Sequence, residues 1–244
     1  MISLVKAELL KVRSTRTTIG LLLGLIALIL LFSLLTGLLS DAGSLSTREQ
    51  QRMVVSIGSL AGVFSAIAGV LLVCSEYRFG TIRPTILFTP RRSKVLTAKL
   101  IAGALAGLAF GVVGEALGWL IAYVTLDGRG ITIVLTSGDI ELLVLGGLAG
   151  VALWGAIGVG LGAIIRNQVG AVITLLAWGF VVDPLLFGLV PSVGRFMPNY
   201  ASNAFVGLTE QHILKPAVGG LILLAWAALL AAAGMALTAR RDIT

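Results

Sequence analysis

Residues 53–75 read MVVSIGSLAGVFSAIAGVLLVCS, an apolar run closed by Arg52 on one side and Glu76 on the other. A helix rises about 1.5 Å per residue, so about 20 such residues cross the roughly 30 Å hydrocarbon core of a bilayer. Lipid offers no partner to an unpaired backbone N–H or C=O, so such a segment closes its hydrogen bonds internally as a helix. Five further stretches share this character: Thr17–Leu39, Leu100–Leu126, Leu142–Ile165, Val169–Val190 and Ala217–Ala239. The last follows Pro216, whose missing N–H would have no partner in a first helical turn. The period-2 alternation of a membrane barrel does not occur in the sequence. These runs predict an all-α membrane protein with six transmembrane helices in a single domain over residues 1–244.

Composition agrees. Hydrophobic residues make up 57% of the 244, charged residues only 12%, and the mean hydropathy is +1.04. A soluble domain of this length carries far more charge. The net charge of +7 lies between the apolar runs rather than on a polar domain, which points to a membrane surface and not to nucleic acid. The first run is too long for the core of a signal peptide and reads as a retained helix. The single cysteine, Cys74, excludes an internal disulfide and reads as a small packing residue.

Orientation follows from the loop cations. Lys6, Lys11, Arg13, Arg16, Arg78, Arg83, Arg91, Arg92, Lys94, Lys99, Arg166, Arg240 and Arg241 fall on one side, and Arg48, Arg52, Arg129, Arg195 and Lys215 on the other. The split of 13 against 5 among the 18 places both termini in the cytoplasm. The longest cytoplasmic connection runs from Glu76 to Lys99, and the longest external one from Pro191 to Pro216.

Two cytoplasmic segments stand out. Residues 1–16 are amphipathic, with Ile2, Val5, Leu9 and Val12 at helical spacing among Lys6, Glu8, Lys11 and Arg13. This fits an interfacial helix in the headgroup plane, or a charged tail that only sets topology. Residues 76–92 read EYRFGTIRPTILFTPRR. Gly80 and Thr81 end one helix and start another, Pro84 suits a first turn, and Thr89-Pro90 closes it. Ile82, Ile86, Leu87 and Phe88 form its apolar part, ringed by Arg78, Arg83, Arg91 and Arg92. Such a segment either docks into a groove of another protein or rests on anionic headgroups.

This segment resembles the loop after the second helix in permease subunits of bacterial ABC-2 type ATP-binding-cassette transporters, where a Glu-x-x-x-Gly-Thr pattern is followed by Pro-Arg and a Lys. Glu76, Gly80, Thr81, Pro90, Arg91 and Lys99 match it. Residues 7–11, AELLK, are similar to the family's elbow helix before the first span. The motifs cover residues 1–20 and 76–99, and the architecture covers the whole chain. The resemblance implies an exporter permease in the bacterial cytoplasmic (inner) membrane. It implies that Gly80 to Phe88 is a coupling helix, with Glu76, Arg78 and Arg91 beside it, receiving motion from a separate ATPase. It implies a second permease copy, identical or related, that ATP and Mg are bound by the partner subunit, and a lid in 191–216.

The chain itself has no Walker A loop and no catalytic set, so ATP hydrolysis is not expected of it. Gly155, Gly158, Gly160 and Gly162, like Gly103, Gly107, Gly111, Gly114 and Gly118, suit either close helix packing or a widened cavity. Glu115 is the one acid deep inside a span, at an insertion cost of about 3 kcal/mol. It is either a pathway group or the acceptor of a helix-to-helix hydrogen bond, from Trp119 or from a Ser or Thr elsewhere. Asp183-Pro184 suggests a helix break near the outer surface. The external stretch suggests a short helix or re-entrant turn with Phe205, Val206 and Leu208 against the membrane, and His212 reads as a surface residue. An intramembrane enzyme lacks its nucleophile or ligands here. An ATP-independent carrier or channel usually shows several intramembrane polar groups and internal repeats, and no repeat is evident. The topology is checked by labelling: in a background lacking Cys74, a cysteine placed at Thr244 should react with an impermeant thiol reagent only after the cells are opened.

Overall fold

The structure, a computed structural model, describes residues 1–89, 91–208 and 214–240. Pro90, His212, Arg241 and Thr244 lie outside the described residues, as do the expectations attached to them. Among the described residues nine helices carry the architecture, beside short turns at Ala42–Leu45 and Pro191–Gly194: α1 (Ile2–Ser14), α2 (Arg16–Leu39), α3 (Arg48–Arg78), α4 (Ile82–Phe88), α5 (Arg92–Asp127), α6 (Ser137–Ile165), α7 (Gln168–Leu189), α8 (Pro198–Phe205) and α9 (Pro216–Arg240). Among the described residues there is no strand. Six of these helices, α2, α3, α5, α6, α7 and α9, are long and apolar enough to span a membrane. α1, the start of α5 and the end of α9 lie at one end of the bundle, where Arg92 Nη1 of α5 donates to the Thr238 carbonyl of α9 at 3.1 Å and α1 packs on α5.

The centre of the bundle is α3, α5 and α6, whose spans are the most enclosed, while α2, α7 and α9 leave most of their length exposed. What brings the central three together is glycine. An added Cβ at Gly107 of α5 would stand 2.7 Å from the Val151 carbonyl oxygen of α6. One at Gly118 would stand 2.9 Å from the Val55 carbonyl oxygen of α3, and one at Gly158 of α6 would overlap the Ala66 carbonyl oxygen of α3. Of the two roles open to these glycines in the sequence, close packing is the one the contacts display. Ser65 adds a hydrogen bond from its hydroxyl to the Val151 carbonyl at 2.9 Å.

Several spans are longer than their apolar runs. α5 begins at Arg92, eight residues before the hydrocarbon stretch read from Leu100, so Lys99 is a helical residue and not a loop cation. α3 begins at Arg48 and passes through a 3-10 segment over Ser56–Leu60 where it crosses Gly114 and Gly118. α6 and α7 each contain a π segment, Leu142–Gly146 and Trp178–Val182.

Two expectations are corrected. Asp183-Pro184 does not break the fifth span: the wider π turn precedes it, Pro184 sits in the first turn of the next α segment, and the helix continues to Leu189. Asp183 is fully buried within the bundle. Val206 packs against Leu45, Val55, Leu126 and Leu143, with Leu208 beside them, and Phe205 packs on the Gly220 backbone of α9; these three face protein. At this end Arg48 clasps Asp139 with two hydrogen bonds at 2.7 and 2.8 Å, and Asp139 completes a capping box with Thr136 at the start of α6. The buried Gln51 holds the 132–134 backbone at 2.9 and 2.8 Å.

Gly158→Ala should cost about 1–3 kcal/mol, as overpacking does in a tight core. The check is thermal unfolding in detergent against Gly188→Ala, where a Cβ meets nothing within 4 Å and the melting temperature should not fall.

Candidate functional site

The end that holds α1 and the close of α9 carries the candidate site. α3 ends at Arg78, and Gly80 takes φ +71°, the left-handed turn that lets the chain leave the helix. Nothing crowds Gly80, so backbone conformation alone favours glycine there. Thr81 precedes α4 without a side-chain capping bond, Pro84 lies in its first turn, and Thr89 ends it. The short helix is therefore present where the sequence placed it, but its apolar residues divide. Ile82 is buried and Ile86 half-buried, together lining a small cleft with Tyr77, Val95 and Leu96. Leu87, at 82% exposed, and Phe88, at 90%, point away from the bundle, with Phe79 at 70% nearby. Arg83 and Arg91 are exposed around them. Arg78 donates to the Gln168 side chain at 3.2 Å and lies over the Phe79 ring.

Beneath this loop is a network of four charged side chains. Lys99 Nζ donates to Glu8 Oε2 at 2.8 Å and to the Leu72 carbonyl at 3.0 Å, and it lies 2.8 Å from Glu76 Oε1. Lys11 Nζ donates to Glu8 Oε1 at 2.7 Å and to Glu76 Oε1 at 2.6 Å. Glu8, Glu76 and Lys99 are buried. Two acids and two bases leave no net charge, which is the condition for sinking such groups into an apolar setting. That setting is Leu72, Val73 and Leu96, with Leu9 and Val12 of α1 packed on them. Partial burial works against the charge of Lys11, but hydrogen bonds to Glu76 and Glu8 outweigh it and hold its pKa above the ordinary lysine value of 10.5. A raised lysine contributes fully below its ordinary value and is lost only as pH rises through the higher one; Lys11 therefore stays charged near neutral pH.

The network sharpens two readings of the sequence. Glu76, open in the sequence to pairing with Arg78 or with a basic residue across the loop, pairs across the loop with Lys99 and also with Lys11. The buried residue of α1 is Glu8, while Ile2 of the apolar stripe is 75% exposed. Glu8, Lys11, Glu76 and Lys99 were each visible in the motifs, but nothing in the sequence signals that they meet.

The second place of interest is Glu115 on α5. It is 5% exposed and faces protein: Ser59 Oγ of the 3-10 segment donates to its Oε1 at 3.5 Å, and the backbone of Gly147 packs against its carboxyl group. Trp119, the partner suggested by helical spacing, makes no hydrogen bond through its buried Nε1. Among the described residues no group of three or more His, Cys, Asp or Glu is placed to hold a metal ion.

Lys99→Met should cost about 3–5 kcal/mol, because it strips a buried pair of one partner. Adding Glu8→Gln should restore part of the loss. Thermal unfolding of both variants in detergent checks this. No known protein family's sequence profile matches the chain, and no curated protein matches it either.

Proposed function

We propose that the chain is the membrane-spanning permease subunit of an ATP-binding-cassette exporter of the ABC-2 type, working in the bacterial cytoplasmic membrane with both termini in the cytoplasm. The observation that carries this reading is the exposure of Leu87, Phe88 and Phe79 at the end of the bundle that bears most of the cations. Three large apolar side chains, two on a short helix and one just before it, call for a cover, and the flanking Arg83 and Arg91 suit acidic residues on a partner. A separate ATPase that binds ATP and Mg is that partner. α1 then serves as the elbow helix in the headgroup plane, and α4 as the coupling helix.

The network below α4 supports this reading mechanically. Force delivered to α4 reaches α3 and α5 together, since Glu76 and Lys99 stand on the two helices it joins. α2, α7 and α9 leave much apolar surface outside the bundle, which suits lipid and a second copy of the permease, so that twelve helices enclose the pathway.

The test is co-purification of the chain with an ATP-binding-cassette ATPase from the same cells. Joint Leu87→Ala and Phe88→Ala should weaken association by at least about 2 kcal/mol, roughly thirtyfold, as truncated anchors do. Arg83→Ala should cost no more than about 1 kcal/mol, the value of an exposed ion pair. Full retention by the double variant, with its melting temperature unchanged, overturns the docking role of α4.

A further inference from the structure

In the half of the bundle away from the termini, a groove of about 460 Å³ lies between α2, the 3-10 segment of α3, α7 and α8. Its size suits a small organic ligand. Phe32, Trp154 and Phe180 present rings to it, and Phe32 and Phe180 are 44% and 65% exposed, so the groove opens sideways where lipid would lie. Its polar wall is Ser59, Asn199 and Asn203, and no lysine or arginine lines it.

Behind that polar wall stand two buried carboxyl groups. Glu115 is reached through Ser59 Oγ at 3.5 Å. Asp183 is 0% exposed; its Oδ2 accepts the Asn199 backbone N–H at 3.0 Å, and among the described residues its Oδ1 accepts no well-formed hydrogen bond. Neither forms an ion pair with any described lysine or arginine, unlike the balanced network at the other end. A carboxylate taken out of water without a counter-ion is costly. A cation entering the groove supplies that counter-ion, and aromatic faces attract cations in a dry site.

We propose that this groove binds an amphipathic organic cation, with its apolar groups against Phe32, Trp154 and Phe180 and its positive charge toward Glu115 and Asp183. Calling that ligand the cargo rests on the exporter reading; the binding site itself does not. A neutral amphiphile could use the rings and amides but would leave both carboxyl groups without a counter-ion.

The experiment is equilibrium binding of radiolabelled methyltriphenylphosphonium to the purified full chain in detergent. Its neutral near-isostere triphenylphosphine oxide serves as the competing probe. The cation should bind about tenfold more tightly than the oxide. Glu115→Gln and Asp183→Asn should each narrow that gap about threefold, and Ser56→Trp, on the groove wall, should abolish binding. Equal or tighter binding of the oxide to the unaltered chain overturns the proposal without any variant having to fold. So does binding that survives Ser56→Trp, which marks adsorption elsewhere. Cation selectivity in a chain that co-purifies with no ATPase would sink the exporter reading alone. Loss of selectivity with the ATPase bound would sink this inference alone.

Discussion

Everything in this bundle depends on how closely α3, α5 and α6 approach one another. Between helices in lipid there is no water to expel, so apolar surface alone gives little reason to associate; packing contact and hydrogen bonds must do it. Glycine lets backbone meet backbone, and here carbonyl oxygens of one helix occupy the space where a neighbour's side chains would begin. The 3-10 segment of α3 lies on this seam. It brings Gly58 against Gly114 and turns Ser59 toward Glu115.

Two sets of buried acids in this bundle are treated in opposite ways. Near the termini, Glu8, Glu76, Lys11 and Lys99 neutralise one another, and the result is a rigid tie between α1, α3 and α5. In the other half, Glu115 and Asp183 are buried with only neutral donors. A balanced network stiffens a structure; unbalanced acids leave it receptive to something that brings the missing charge. That contrast separates a part suited to transmit force from a part suited to hold a ligand.

The sequence made the spans legible because the length of an apolar run is a local property. It did not show where helices end, since a helix can continue past the hydrocarbon, as α5 does back to Arg92. Lys99 looked like one more loop cation because its acidic partner lies 91 residues away. The Asp183-Pro184 pair looked like a break, but proline is tolerated in a first turn and the π segment absorbs the strain. Phe205, Val206 and Leu208 looked membrane-facing because hydrophobicity cannot tell lipid from protein. The short helix after Gly80 was legible because Gly, Pro and Thr punctuate it; the inward turn of Ile82 and the outward turn of Phe88 depend on packing with α3 and α5.

The network that joins Glu8 to Lys99 also has a history during synthesis. Glu8 leaves the ribosome 91 residues before Lys99, an interval of roughly 5–20 s at about 5–20 residues per second. Throughout that time α1 has its acid and its Lys11 but not the base that buries them. The N-terminal helix therefore lacks the base that buries its acid until the start of the third long helix arrives. Closure of the network requires that the chain through Lys99 has been made.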